Sequence, residues 1–182
     1  VDSGIYDSSL YDIMPFYVDH LLLAVPADFA VNARFPEAQL RRADVLDGRH
    51  LAAEVPAVPL SAFAQTDFLL LGRGNDMYRR ARGLFQAAGM EPTVRLYLNQ
   101  LMTAFHMARQ GIGATFLTDT LVSLSVPDDR LIYYRLEGAL ATRETFLAVQ
   151  HKGYRTRAME RFIQSALALY PMLRGAKTPS EE

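Results

Sequence analysis

The most constraining feature of the sequence is an alternation that starts at Phe68. Phe68 to Leu71 is a short, continuous apolar run, followed by Gly72-Arg73-Gly74-Asn75. Asp76 to Ala88 then places Met77, Ala81, Leu84, Phe85 and Ala88 at helical spacing and closes on Gly89. Pro92 opens a second strand pattern, Val94 to Leu98. Asn99 reads as the cap of a second helix that runs to Gln110 and stops at Gly111. Ala114 to Leu117 is a third strand and Thr118 to Leu124 a short helix. Strand, loop, helix, strand, helix, strand predicts an α/β chain, with a mainly parallel sheet and helices on its faces.

The flanks add four strands and one helix. Val1 to Asp7 reads as a short strand and Phe16 to Val25 as a stronger one. The unbroken run Leu21 to Val25 suits a strand covered on both faces, and Pro26 ends it. Residues 26–59 hold Pro26, Pro36, Pro56 and Pro59 and read as a long surface loop with one helical turn near Ala38 to Ala43. Leu60 to Ala64 is a turn or short helix. Leu131 to Arg135 and Phe146 to His151 are further strands. Arg155 to Tyr170 is an amphipathic helix, and the tail 175–182 is polar and frayed.

Composition narrows the function. Half of the 182 residues are apolar, enough for a packed core. Nineteen basic residues face twenty acidic ones, so no global field draws the chain to nucleic acid or an anionic membrane. Cysteine is absent, which excludes disulfide scaffolds, thiol nucleophiles, iron–sulfur clusters and cysteine zinc sites, and fits a reducing cytosol. Leu21 to Val31, the longest apolar stretch, is interrupted at Pro26 and Asp28 and is too short to span a bilayer. No basic segment with a following apolar run opens the chain, so no signal peptide is read. The chain does not begin with Met, which leaves room for a partner region ahead of Val1.

Ligands of open α/β sheets bind beyond the carboxyl ends of the strands. Three polar loops fall there: Gly72 to Asn75, Asn99 to Thr103, and Thr118-Asp119, with Asp7 to Ser9 as a fourth from another lobe. Gly72 and Gly74 let a ligand approach the backbone at a helix start, and Arg73 adds a planar fork suited to a carboxylate. A small anion fits this loop; a strand-to-helix turn with a solvated arginine is the open alternative. No Gly-Lys-Ser/Thr follows, so it is not a phosphate-binding P-loop, and the third glycine of a dinucleotide fingerprint is missing. Asn99 reads as a plain cap, which leaves Gln100 and Thr103 for hydrogen bonds to a ligand. His20, His50, His106 and His151 lie far apart without His-x-x-x-His spacing, so no metal site is expected. No Gly-x-Ser-x-Gly elbow or carboxylate pair occurs, so no catalytic residue and no cofactor are expected.

Several pieces recur in a telling order: Leu60 to Phe63 as a Leu-x-x-Phe linker, the apolar strand ending at Gly72, and Ala88-Gly89 with Pro92. The polar turn Asn99 to Thr103 and Gly111-Ile112-Gly113 before Ala114 to Leu117 come next. This order over Pro59 to Leu121, with weaker support from Val18 to Asn32 and Arg143 to Gln164, resembles the effector-binding domain of LysR-type transcriptional regulators. The resemblance implies a type 2 periplasmic-binding-protein-like fold: two Rossmann-like lobes, crossovers near Leu60 to Thr66 and Ala139 to Thr145, and a cleft between the lobes for a small effector. Residues 1–66 would then be part of the first lobe, with the long loop at 27–59. Residues 67–140 would be the second lobe and 141–174 the return into the first. By the same resemblance the effector would contact Gly72, Arg73, Gly74 and Asn75, then Asn99, Gln100, Met102 and Thr103, and finally Phe116 and Thr118. The family's winged helix-turn-helix and the opening strand–helix–strand of its first lobe have no counterpart in these residues, so the first lobe is expected to be incomplete. DNA would be reached only through that missing head. Family resemblance further implies a cytoplasmic homodimer or homotetramer with no membrane partner. A solute-binding module of the same fold is the alternative, and an enzyme acting on small carboxylic acids is a weaker one.

Overall fold

The computed structural model describes Asp7 and residues 9–173; the strand expected at Val1 to Tyr6 and the tail from 175 lie outside the described residues. The chain divides into two units, Val1–Asp19 with Arg143–Glu182, and His20–Thr142. Residues 60–66, expected to cross between lobes, fall inside the second unit. The chain passes between the units within strand β1 (Tyr11–Pro26) and again at Thr142–Arg143.

The second unit is built on β1, β2 (Asp67–Leu71), β3 (Thr93–Leu98), β4 (Thr115–Thr118) and β5 (Leu131–Arg135). Its helices are α1 (Arg42–Leu46), α2 (Asp76–Ala87), α3 (Leu101–Arg109) and α4 (Asp119–Leu124). β2 and β3 pair in parallel, with Leu71 opposite Leu98. A parallel bridge between Phe68 and Ala114 joins β2 to the start of β4; Leu69 N–H donates to the Ala114 carbonyl and Ala114 N–H to the Asp67 carbonyl, both at 2.8 Å. β1 lies antiparallel between β4 and β5, with Leu21 opposite Thr118 and Leu22 opposite Arg135. The spatial order is therefore β3-β2-β4-β1-β5. The mainly parallel sheet is present with one exception. β1 arrives as a long strand from the first unit and not through a helical crossover, so nothing forces it parallel to its neighbours.

Side-chain alternation sends the Leu21 to Val25 run into two cores. Leu21, Leu23 and Val25 pack with Phe63, Phe68, Leu70, Phe85, Phe116 and Tyr134 on one face. Leu22 and Ala24 pack with Leu69, Phe105, Leu117, Val122 and Tyr133 on the other. Gly89 and Gly111, at φ 64° and 76°, close α2 and α3 in the left-handed conformation that favours glycine. Asn99 is not the cap of α3: that position is Gln100, whose side chain makes no capping bond.

The segment 27–59 differs from the surface loop the prolines suggest. It holds α1 and three short 3-10 turns, and it buries Ala38 and Val58 in one core and Leu40, Val45 and Val55 in the other. Leu40 bridges Tyr133, and Val58 N–H donates to the Arg135 carbonyl at 3.0 Å. The segment thus satisfies the outer edge of β5, which would otherwise offer unpaired backbone groups. Its apolar residues are scattered at no regular spacing, which is why neither helix nor strand periodicity reveals them.

In the first unit, β6 (Thr142–Gln150) pairs with β1, and α5 (Arg157–Leu173) follows. His151 N–H donates to the Leu10 carbonyl at 2.8 Å, and the buried Asp19 carboxylate pairs with Arg143. No helix among the described residues is long and apolar enough to cross a membrane.

Two consequences can be measured by urea unfolding. A Cβ at Gly113 would sit 2.8 Å from the Asp67 carbonyl oxygen, a backbone atom that cannot swing aside. Gly113→Ala should therefore destabilise the chain by about 1–3 kcal/mol. Asp128 accepts from Arg130 and from Arg109, which hold its carboxyl well below the usual carboxylate range. A depressed carboxylate stabilises the fold above its unfolded pKa of about 3.9, and the contribution disappears as pH falls through the folded value. Asp128→Asn should cost about 1 kcal/mol at neutral pH and nothing at the acid end of the titration.

Candidate functional site

The strand register brings three of the polar turns to one rim. Leu71 lies opposite Leu98, so Gly72 stands level with Asn99; Gly72 N–H donates to the Leu98 carbonyl at 2.9 Å. Phe68 bridges Ala114, so Gly72 and Thr118, each four residues further on, are also level. With strands about 4.8 Å apart, Asn99 and Thr118 are separated by about 10 Å, the span of a small organic acid.

The helix starts on this rim are not equivalent. Asn75 Oδ1 accepts the Met77 N–H at 2.9 Å and so caps α2. Asp76 follows in its first turn; burial would raise that carboxyl, but Arg80 and Arg79 hold it below the usual range. Thr118 Oγ1 accepts the Leu121 N–H at 3.2 Å, and Asp119 follows in the first turn of α4. Each of these helices thus brings its own cap and its own acid. α3 has neither: Gln100 makes no side-chain cap and no acidic residue occupies its first turn. Its leading N–H groups and the positive end of its dipole are left for another partner.

Arg73 is exposed beside Gly72. Arg80, Arg82, Arg95, Arg109 and Arg130 each pair with a carboxylate, whereas Arg73 pairs with none among the described residues. Gly74, Asn99, Gln100, Met102 and Thr103 are exposed as well, while Gly72 and Asn75 are half-buried. Phe116 is placed differently. Its ring lies 6.1 Å from that of Phe68 and 5.4 Å from that of Phe85, so its side chain serves the core.

A second grouping has no counterpart in sequence spacing. His20, at the head of the β1 segment in this unit, and His50, from the 27–59 segment, both meet Asp119. Burial would raise the Asp119 carboxyl, but hydrogen bonds from His20 and His50 outweigh it and hold the group well below its ordinary value. Only the pairing of Leu21 with Thr118 reveals that His20 and Asp119 are neighbours, and no local motif encodes that pairing.

Comparison with known proteins gives a consistent picture. Residues 2–170 match the LysR substrate binding domain family. A malonate utilization transcriptional regulator of Klebsiella pneumoniae is 23% identical over 131 residues, 72% of this chain and 36% of that protein. The match thus spans about a third of that relative's length. The effector binding domain of QuiR in complex with shikimate superposes with a TM-score of 0.65 at 11% identity, covering 92% of this chain and 69% of that one. The BenM effector binding domain with its effector benzoate gives 0.64 at 16% identity, covering 98% and 71%. At these identities the solved structures speak to the fold.

The caps can be separated from any ligand role by measuring the ligand-free chain. Asn75→Ala should lower its unfolding free energy by about 1 kcal/mol through loss of the cap. Gln100→Ala, which removes no capping bond, should stay within about 0.5 kcal/mol of the parent.

Proposed function

The chain belongs to the LysR substrate binding domain family, and on that premise we propose that it is the effector-sensing part of a transcriptional regulator. The effector is a small carboxylate held on the rim formed by Gly72 to Asn75, Asn99 to Thr103 and Thr118. Arg73 supplies the charge, the free N–H groups at the start of α3 take a carboxylate oxygen, and Asn99, Gln100 and Thr103 read the rest of the molecule through hydrogen bonds. It acts as a binding domain and not as an enzyme. The regulator reaches DNA through a winged helix-turn-helix outside these residues and works as a cytoplasmic homodimer or homotetramer.

One observation carries the reading: α3 is the rim helix with neither cap nor acid at its start, and on the same rim stands Arg73, with no carboxylate partner among the described residues. Electrostatically this spot lacks an anion. The shikimate and benzoate of the two structural relatives are both carboxylates, which agrees with the sign of the missing charge. Effector binding then shifts the balance between two arrangements of the regulator by as much as its affinity for them differs.

A panel of small carboxylates tested by thermal shift should contain at least one that raises the melting temperature. Isothermal titration of that compound with Arg73→Ala should show affinity reduced about tenfold or more, the loss of a charge-assisted bond. Equal affinity for parent and variant would remove Arg73 from the site. A panel without any binder, or turnover of a bound acid, would overturn the reading itself.

A further inference from the structure

His20, His50 and Asp119 come from three separate stretches of chain, with 99 residues between His20 and Asp119 and 69 between His50 and Asp119. Their ring nitrogens converge on a single atom. His20 Nδ1 lies 2.8 Å and His50 Nε2 3.1 Å from the same carboxylate oxygen, Asp119 Oδ2. One potential ligand atom from each residue falls within 4.8 Å of the other two. We propose that these three side chains are ligands of a site for a first-row divalent transition ion of the zinc(II) class, its fourth position open to solvent or a small ligand.

The carboxylate is already set for that role. Asp119 Oδ1 accepts the backbone N–H of His20 at 3.1 Å and that of Thr120 at 2.8 Å. These bonds fix the plane of the group and leave Oδ2 facing the imidazoles, the kind of orienting shell that metal-binding carboxylates have. Burial points the same way. The side chains of His50 and Asp119 are only 6% and 14% exposed. Among the described residues His50 Nδ1 is buried without a hydrogen-bond partner, so the ring is anchored through Nε2 alone, the nitrogen that faces Asp119 and would meet the ion.

The donor set selects the ion. Two imidazoles and one carboxylate, without thiolate, suit zinc and its neighbours and not the all-oxygen demands of magnesium or calcium. Bonds of about 2.0–2.2 Å in a tetrahedral site place the ligand atoms about 3.4 Å apart, so the two histidine–carboxylate separations, 2.8 and 3.1 Å, need to open by a few tenths of an ångström, while the two imidazole nitrogens already lie within 4.8 Å of each other. The fourth position has space: a cavity of about 180 Å³, lined by His20, His50, Arg135, Gly138 and Thr142 among others, adjoins the cluster. His20 and His50 lie outside the effector turns and Asp119 directly follows Thr118 in the third of them, facing away toward the imidazoles; the site goes beyond the effector reading, and a test without effector decides it separately.

The test uses the metal-stripped full chain and zinc(II) alone, with no effector present. Isothermal titration and elemental analysis after desalting should give one zinc per chain. Thermal unfolding should shift upward with added zinc. His50→Ala and Asp119→Asn should each weaken binding by about 100-fold or more. His20→Gln, at a position whose side chain is 28% exposed, keeps the chain folded and should also lose the zinc-dependent shift. His106→Ala, on the exposed face of α3, should bind as the parent does. Zinc retained below one per chain by the parent, or equally by the parent and His20→Gln, would overturn the site and leave a hydrogen-bonded ion pair in its place.

Discussion

The rest of the second unit hangs on the hydrogen bonding of β1 on both of its edges. Leu21 to Ala24 pair with β4 and Leu22 to Pro26 with β5, while the same residues are almost fully buried on both faces. A strand in that position has no freedom of register. A slip of one residue would exchange Leu21, Leu23 and Val25 for Leu22 and Ala24 on each face and break both ladders. The register in turn sets His20 beside Asp119 and Thr118 level with Gly72. The chemistry of the rim is therefore fixed by a run of apolar residues that take no part in it.

Electrostatics then sorts the rim. A helix start surrounded by polar turns attracts anions, and α2 and α4 meet that need with Asp76 and Asp119. Asp119 does so twice, since its carboxylate also gathers two imidazoles. α3 meets it with nothing of its own. The difference is chemical and not topological, because all three helices follow parallel strands at the same end of the sheet. It explains how one repeated strand–turn–helix unit yields two turns with their own cap and acid and one with neither.

Much of this is legible in the sequence itself. Continuous apolar runs announce doubly covered strands, and Gly89 and Gly111 announce helix ends, because each of these signals is local. Two kinds of information were not local. The covering of β5 by the 27–59 segment depends on Leu40, Val45, Val55 and Val58, whose irregular spacing matches neither a period of two nor of 3.6. The direction of β1 depends on where the chain comes from. The glycine loop and Arg73 were visible as residue types suited to an anion. What set α3 apart was the failure of Gln100 to cap it, a backbone detail that the favourable look of Asn99 concealed. Phe116, expected at the effector site, has its ring against Phe68 and Phe85, a packing that depends on chain segments distant in sequence.

The histidine cluster shows the limit of spacing arguments most clearly. Local motifs find metal ligands that share a helix face, where geometry follows from sequence separation. Here the three side chains are delivered by a strand, a 3-10 turn and a helix start, so their separation in sequence carries no geometric content. The cluster and the polar turns of the rim nevertheless share a peptide bond. Thr118 caps α4 from the rim, and Asp119 opens the same helix while facing His20 and His50. An ion that pulled Asp119 Oδ2 by a few tenths of an ångström would act on the first turn of α4 and on the Thr118 cap directly, with no longer relay. By linkage a ligand that favoured one position of Thr118 would alter ion affinity by the same factor. Adjacency in sequence, uninformative for finding the cluster, is what would couple it to the rim.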